Sequence, residues 1–451
     1  MTMETSDAVP GPRTTSSLYT LTDHVNKRNA KEARFKAIGI GAILTGLAFL
    51  VILVTQIVGN GASAFQQTRI DVTLTVTQEE FESAEKSSLK TSKYRGFLED
   101  ALMATIAESG VETPFTSGRD IRPLISSGAG NTLRQYLLNN EKRIGEEIKF
   151  NVLTNGTVDG YLKGRVSRES IVNDKNIDEA HLTLVDTLHE AGVLRKGFNA
   201  GFITGNDTSD LRPEQSGFGQ SMLGSLAMMI VVLLVCLPIS VGASIYLEEF
   251  APKNKITDFI EVNISNLAAV PSIVFGILAL AAFIQFGGGT LGIEAFRNSA
   301  PLVGGLALSL MTLPTIIIAT RASLKAVPGT IREAALGLGA SRMQAVFHHI
   351  LPLAMPGILT GTIIGLAAAL GETAPLLMIG MVAFVQMDIS SLGGFFTDPN
   401  VGMPAQIYIW ATRADGAWYE RAWGGIIILL VFLLTMNIIA IILRRRFERR
   451  W

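Results

Sequence analysis

Six long apolar runs decide what this chain can become. They are Ala37 to Gly59, Ser221 to Leu247, Ser265 to Phe286, Pro301 to Thr320, Ala354 to Val385 and Gly424 to Leu443. Each approaches or exceeds the roughly 20 residues that carry a helix across a hydrocarbon core of about 30 Å. Lipid offers the backbone no hydrogen-bond partners, so such runs must bond internally as helices. The charge content agrees, at 17%, where soluble domains carry about 25%. A net charge of −1 leaves no basic footprint for nucleic acid. The single cysteine, Cys236, excludes an intrachain disulfide, and the five histidines lack metal-ligand spacing. No cofactor is expected in this chain.

The runs divide the chain. Residues 1–36 read as a cytoplasmic leader, disordered over Met1 to Thr20 and basic from Lys27 to Lys36, and 37–59 as a retained anchor. Residues 60–220 are polar and about one domain long. Ile70, Val72, Leu74 and Val76 alternate as in a half-buried strand. Phe150 to Leu153 is a second strand candidate, and Tyr94 to Ala107, Thr132 to Ile144 and Ile177 to Leu194 read as helices. A small α+β extracytoplasmic domain is expected there, returning to the membrane through Ser216 to Gly219. Residues 221–443 form the main transmembrane domain, and 444–451 a basic cytoplasmic tail.

Charge orients the spans. Lys253, Lys255, Arg321, Lys325, Arg332, Arg342 and the terminal arginines fall on the side of the leader, whereas the short loops opposite hold only Arg297, Arg413 and Arg421. The positive-inside rule then places both termini in the cytoplasm.

Between the fourth and fifth runs lies a polar loop, 328–352, on that same side. Pro328 and Gly329 stop the preceding helix. Thr330 and Glu333 have capping-box spacing, and so do Ser341 and Gln344. Gly337 and Gly339 supply a bend, Met343, Val346, Phe347 and Ile350 an apolar face, and Pro352 an end. A bent helix pair carrying small Ala334 and Ala335 suits docking in a groove of another protein. An amphipathic linker lying on the membrane is the plainer alternative.

The fifth run contains Leu370-Gly371-Glu372-Thr373-Ala374-Pro375. A carboxylate at bilayer depth costs about 2.5–3.5 kcal/mol on insertion scales, so it faces a cavity or a partner. Gly371 and Pro375 predict a local break beside it. Glu372 either lines or gates a transport path or pairs with a neighbouring arginine. Arg321, closing the fourth run, is either a snorkelling anchor or part of an anion path. No Gly-x-x-x-x-Gly-Lys-Ser/Thr motif occurs, so an ATPase would be a separate chain.

The spacing Glu333-Ala334-Ala335, Gly339, Leu351-Pro352 resembles the coupling loop of ABC-importer permeases. With Leu370 to Leu377, Thr320-Arg321-Ala322 and Val327-Pro328, the stretch from Ser221 to Leu443 is similar to the PstA family of phosphate-specific permeases, in its long form with an added anchor and outer domain. His349 departs from the usual aliphatic residue. The resemblance implies an all-α polytopic membrane protein with the type I ABC importer permease fold, in the cell inner membrane among lipids. It implies a PstC-like second permease, a PstB-like ATPase dimer docked through Thr330, Glu333, Ala334, Ala335, Gly339, Ser341 and Pro352, and a PstS-like binding protein. The translocation path would include Arg321, Gly371, Glu372, Thr373 and Pro375. A permease for sulfate or molybdate, whose families share the Gly-Glu pair, and a membrane sensor remain as alternatives; neither reading makes the chain itself an enzyme.

Overall fold

The computed structural model describes residues 23–174, 176–208, 211–382 and 392–447. The leader before Asp23, the Val385 end of the fifth run, and Arg449 and Arg450 lie outside the described residues. Among these residues, six helices are long and apolar enough to cross a membrane: His24–Phe65, Gly219–Phe250, Ser272–Thr290, Pro301–Lys325, Arg342–Gly371 and Gly416–Arg446. The chain divides into two units at Gln56 and Ile57. The first is most of α1 (Asp23–Gly61), whose 39 residues extend about 58 Å at 1.5 Å each. Its apolar side chains from Phe35 to Val54 are exposed.

The second unit opens with an α+β region. β1 (Gln66–Thr75) buries Ile70, Val72 and Leu74, the alternation expected of a sheet with one covered face. α2 (Gln78–Lys86) is capped by Thr77, which exchanges hydrogen bonds with Glu80. α3 (Lys90–Glu108) and α4 (Ala129–Asn139) cover the sheet with Tyr94, Leu98, Leu102, Leu133 and Leu137. β2 (Glu147–Leu153) pairs antiparallel with β1, Ile70 opposite Val152. After α5 (Gly156–Leu162) and α6 (Glu179–Glu190), β3 (Leu194–Phe198) joins the other edge, giving the order β2-β1-β3.

The expected helices shift here. The third ends at Glu190, because Gly192 at φ +74° turns the chain and Leu194 begins a strand instead. The second stops at Asn139 and gives way to a short, tighter turn, Glu141–Arg143.

α7 (Ala200–Thr204) leads into α8 (Gly219–Ile245). α8 continues through a wider turn, Tyr246–Phe250, to α9 (Lys255–Leu267), capped by Asn254 through Thr257 N at 2.9 Å. The third span therefore begins seven residues later than the apolar run. Pro271 lacks a backbone donor and separates α9 from α10 (Ser272–Ala279). α11 (Pro301–Lys325) packs parallel to α8, with Ser240 and Ser244 facing Leu313 and Ile317, and antiparallel to α14 (Leu351–Gly371).

Small residues allow the close approach usual in lipid. A Cβ on Gly357, Gly361 or Gly365 would strike Ser323, Ala319 or Ile316 of α11. Ser244 Oγ donates across to Ile317 O at 3.1 Å. α15 (Ala374–Met378), α16 (Leu392–Thr397), α17 (Met403–Ala411) and α18 (Gly416–Phe447) follow α14, once α12 and α13 of the intervening loop are included below.

The α+β region is welded to the start of α18 by buried charge. Arg421, 2% exposed, donates to Ala64 O, Gln67 Oε1 and Glu214 O at 3.3, 3.4 and 3.3 Å. It lies 5.1 Å from the Phe202 ring centre. Glu420 accepts from Lys163 at 2.9 Å and pairs with Arg165 at 3.1 Å. Asp159 holds Lys163 from the other side at 2.7 Å and accepts from Thr68 N. Phe202, Phe218, Trp410 and Trp418 fill the apolar part of this junction.

Candidate functional site

Two features stand apart from ordinary packing: the loop after α11 and the break after α14. α12 (Gly329–Gly337) begins with Pro328 in the N-cap position, φ −56° and ψ 132°, and no side chain caps it. The expected Thr330–Glu333 box is therefore absent. Proline pre-sets the entry, so the helix starts one residue earlier and Thr330 falls inside its first turn.

The end of α12 is a Schellman closure. Ala340 N donates to Ala335 O at 3.0 Å and Gly339 N to Leu336 O at 2.9 Å, with Gly339 at φ +90°. The bend is thus at Gly339; Gly337 remains helical. Ser341 then opens α13 (Arg342–Gln344) by accepting from Gln344 N at 3.2 Å, while Gln344 Oε1 accepts from Ser341 N at 2.9 Å.

Pro352 does not end this second helix. The helix runs on through a wider turn, Ala345–Ile350, directly into α14. Such a turn re-pairs carbonyls that a proline leaves without a donor. The expected apolar face also divides. Val346 and Ile350 are buried with Ile245, Leu324, Ala354 and Ile358, whereas Met343 and Phe347 are exposed. Ala335 is packed inward, and Glu333, Ala334 and Leu338 stand in the open, Leu338 at 91%. An open cleft of about 590 Å³ adjoins the loop, lined by Val327, Pro328, Ile331, His348, His349 and Pro352.

Carboxylates at the end of α8 surround the base of this loop. Glu249 pairs with Arg332 of α12. Glu248 pairs with Arg321 at 3.4 Å and Lys325 at 3.5 Å, and Arg321 also meets Glu261 of α9 at 2.7 Å. Neither Glu248 nor Glu249 stands out in sequence alone. Their signal was an acidic doublet closing an apolar run opposite three basic residues closing another.

The break follows the Gly371 and Pro375 signals. α14 ends at Gly371, Glu372 is extended at φ −79° and ψ 125°, and α15 restarts with Pro375 in its first turn. Glu372 and Thr373 are half-buried. Glu372 makes no ion pair among the described residues. α10 presses against this break through Gly276, where a Cβ would lie 2.7 Å from Pro375 Cα.

Arg321 and Glu372 are not brought together. The contacts Ser323–Gly357, Ala319–Gly361 and Ile316–Gly365 set the register of α11 on α14. That register places Glu372 level with about residue 308, so Arg321 lies roughly 20 Å further along the bundle. Arg321 thus belongs to the loop end.

Six apolar helices, four of them closely packed, with a capped and bent exposed loop between the fourth and fifth, define a membrane transport permease. Residues 239–451 match the family described as binding-protein-dependent transport system inner membrane component, and residues 22–171 match a domain of unknown function, DUF3333. The probable ABC transporter permease protein YqgI of Bacillus subtilis is 31% identical over 232 residues, 50% of this chain and 76% of that one. The phosphate transport system permease protein PstA 1 of Mycobacterium tuberculosis (H37Rv) is 31% identical over 266 residues, 57% of this chain and 81% of that one. PstA of Mycobacterium leprae is 31% identical over 268 residues, 57% and 82% of the two chains. The chain belongs to the ABC transporter permeases, the inner membrane components of binding-protein-dependent transport systems. An inward-facing MetNI methionine ABC transporter structure covers 52% of this chain and 95% of its own at 15% identity, with a TM-score of 0.37.

Proposed function

We propose that this chain is the permease subunit of an ATP-driven phosphate importer. It would form half of the translocation path and couple to a separate ATPase. The observation that carries the coupling role is the exposed turn of α12 and α13, closed at Gly339 and Ser341 and presenting Glu333, Ala334 and Leu338 at one end of the bundle. The phosphate assignment is supported by the identity to the mycobacterial PstA proteins.

In this reading a PstC-like permease completes the path, a PstB-like ATPase dimer seats the coupling loops, and a PstS-like protein delivers phosphate to the opposite side. Both termini are cytoplasmic, which puts the 60–220 domain on the entry side, where the binding protein or the second permease would touch it. ATP binding closes the ATPase pair and displaces α12. Because the chain joins α12 to α11 and, through α13, to α14, that displacement reaches the Gly371–Pro375 break at the far end of α14. Glu372, half-buried without a cationic partner of its own among the described residues, is placed there to line or gate the path. Arg321, paired with two carboxylates, serves the coupling end.

Glu333→Lys tests the docking assignment. The variant should insert normally but lose co-purification of the ATPase and phosphate uptake together. Uptake at the wild-type rate would remove the loop from the coupling role.

A further inference from the structure

We infer that Glu249 and Arg332 form a latch that ties the coupling helix to the end of α8, so that α12 cannot move without moving α8; this rests on the coupling reading above. The chain connects α12 only to α11 and, through α13, to α14. The ion pairs add links that the chain lacks. Adjacent positions in a helical turn point about 100° apart, and the wider turn Tyr246–Phe250 uses this to aim its two carboxylates at different elements. Glu248 reaches Arg321 and Lys325 of α11. Glu249 reaches Arg332 of α12. Arg321 carries the connection on to Glu261 of α9.

The two pairs differ in obligation. Glu248 and Arg321 are 17% and 16% exposed, and each has a second partner. The Glu249 side chain is only 4% exposed, and among the described residues Arg332, itself 41% exposed, is its one cation. A buried carboxylate robbed of its partner is left uncompensated, so α12 and α8 part only at high cost. Arg332 sits beside Glu333 in α12 and turns its guanidinium to Glu249, while Glu333 is exposed. One side of this short helix is thereby available to a partner and the other holds the permease. Glu249 and Arg332 are positioning residues: they touch neither substrate nor nucleotide.

The test uses the whole complex, purified with its ATPase and reconstituted in vesicles with the binding protein. Hydrolysis and phosphate uptake are measured on the same preparation. Arg332→Gln and Glu249→Gln should each retain the ATPase and go on hydrolysing ATP, while phosphate moved per ATP falls at least about fivefold, the lower end of ordinary coupling between sites. Arg332→Lys should keep most of the ratio. The exchanged pair, Glu249→Arg with Arg332→Glu, should recover part of it, which a general packing defect would not do. An unchanged ratio in both single variants overturns the latch. So does loss of the ATPase from the Arg332→Gln complex, which would make Arg332 part of the docking surface. If the wild-type complex itself holds no ATPase or moves no phosphate, the functional reading fails and the latch with it.

Discussion

Replacing Arg421 by methionine should destabilise the protein, and the cost should depend on pH. Methionine keeps the length and apolar stem but removes the charge and every donor. Glu214 O retains Gln67 Nε2 at 2.7 Å, and Ala64 O retains Asn199 Nδ2 at 3.4 Å. Gln67 Oε1 has Arg421 as its partner, and an orphaned buried acceptor costs about 1–3 kcal/mol. Charge adds to this. Lys163, Arg165 and Arg421 face Asp159, Glu420 and Glu214, so the variant leaves one carboxylate in excess. Breaking such a buried set costs about 3–5 kcal/mol.

Burial already pushes the Glu214 carboxyl above its usual range, opposed by the Ser126 hydrogen bond and the charge of Arg421. Without Arg421 it rises further, so Glu214 can protonate and relieve the excess. The penalty should therefore approach the upper figure at pH 8 and shrink toward the orphan term near pH 5. Thermal unfolding of the detergent-solubilised chain, followed by proteolysis of the 60–220 region, reads it at both pH values. Adding Glu214→Gln to Arg421→Met should restore much of the loss at pH 8 and little at pH 5. A change within about 0.5 kcal/mol, or an equal loss at both pH values, would refute the reasoning.

Further outcomes follow from other sites. Gly276→Val drives a Cβ into the Pro375 backbone; it should cut uptake sharply while ATPase binding persists, at a stability cost of about 1–3 kcal/mol. Gly339→Val forces a branched side chain to φ +90°, costing about 1–2 kcal/mol locally. It should weaken ATPase co-purification without lowering the melting temperature of the 60–220 region. Glu85 is held down to about 2, chiefly by its hydrogen bond to Arg134. Its contribution is thus present above about pH 4.5 and lost as pH falls toward 2. Allowing for its partial exposure, it is worth about 1–3 kcal/mol, and Glu85→Gln should flatten the acid-unfolding profile by that amount.

The elements legible from sequence were those with strong periodicity or a local chemical cause. Four of the six spans were placed close to where they lie, and β1 and the Ser341 box came directly from alternation and spacing. The fifth span, expected over Ala354 to Val385, starts twelve residues earlier at Arg342, because its helix runs in from the loop, and stops at the Gly371 break. The third span was misplaced because Leu267 to Val270 extend an apolar run that Pro271 interrupts. Thr330 and Pro352 failed for a shared reason: local rules assign a proline one role, and here one proline starts a helix and the other is absorbed inside one. β3 was hidden because Leu194-Arg195-Lys196-Gly197-Phe198 has no alternation; the exposed edge of β1 recruits it.

At the candidate site, the break at Glu372 was readable from its glycine and proline. Its distance from Arg321 was not, since that depends on the register of α11 against α14. The Arg421 weld was likewise out of reach, because it joins residues more than 350 positions apart in sequence.

The central claim is that this chain moves phosphate. The direct measurement is uptake of labelled phosphate in cells lacking the chain, with and without its restoration, and with sulfate or molybdate as competitors. The account predicts loss of binding-protein-dependent phosphate uptake, recovery on restoration, and no competition from either oxyanion. Phosphate uptake that is indifferent to the chain, or that sulfate or molybdate displaces, would contradict it.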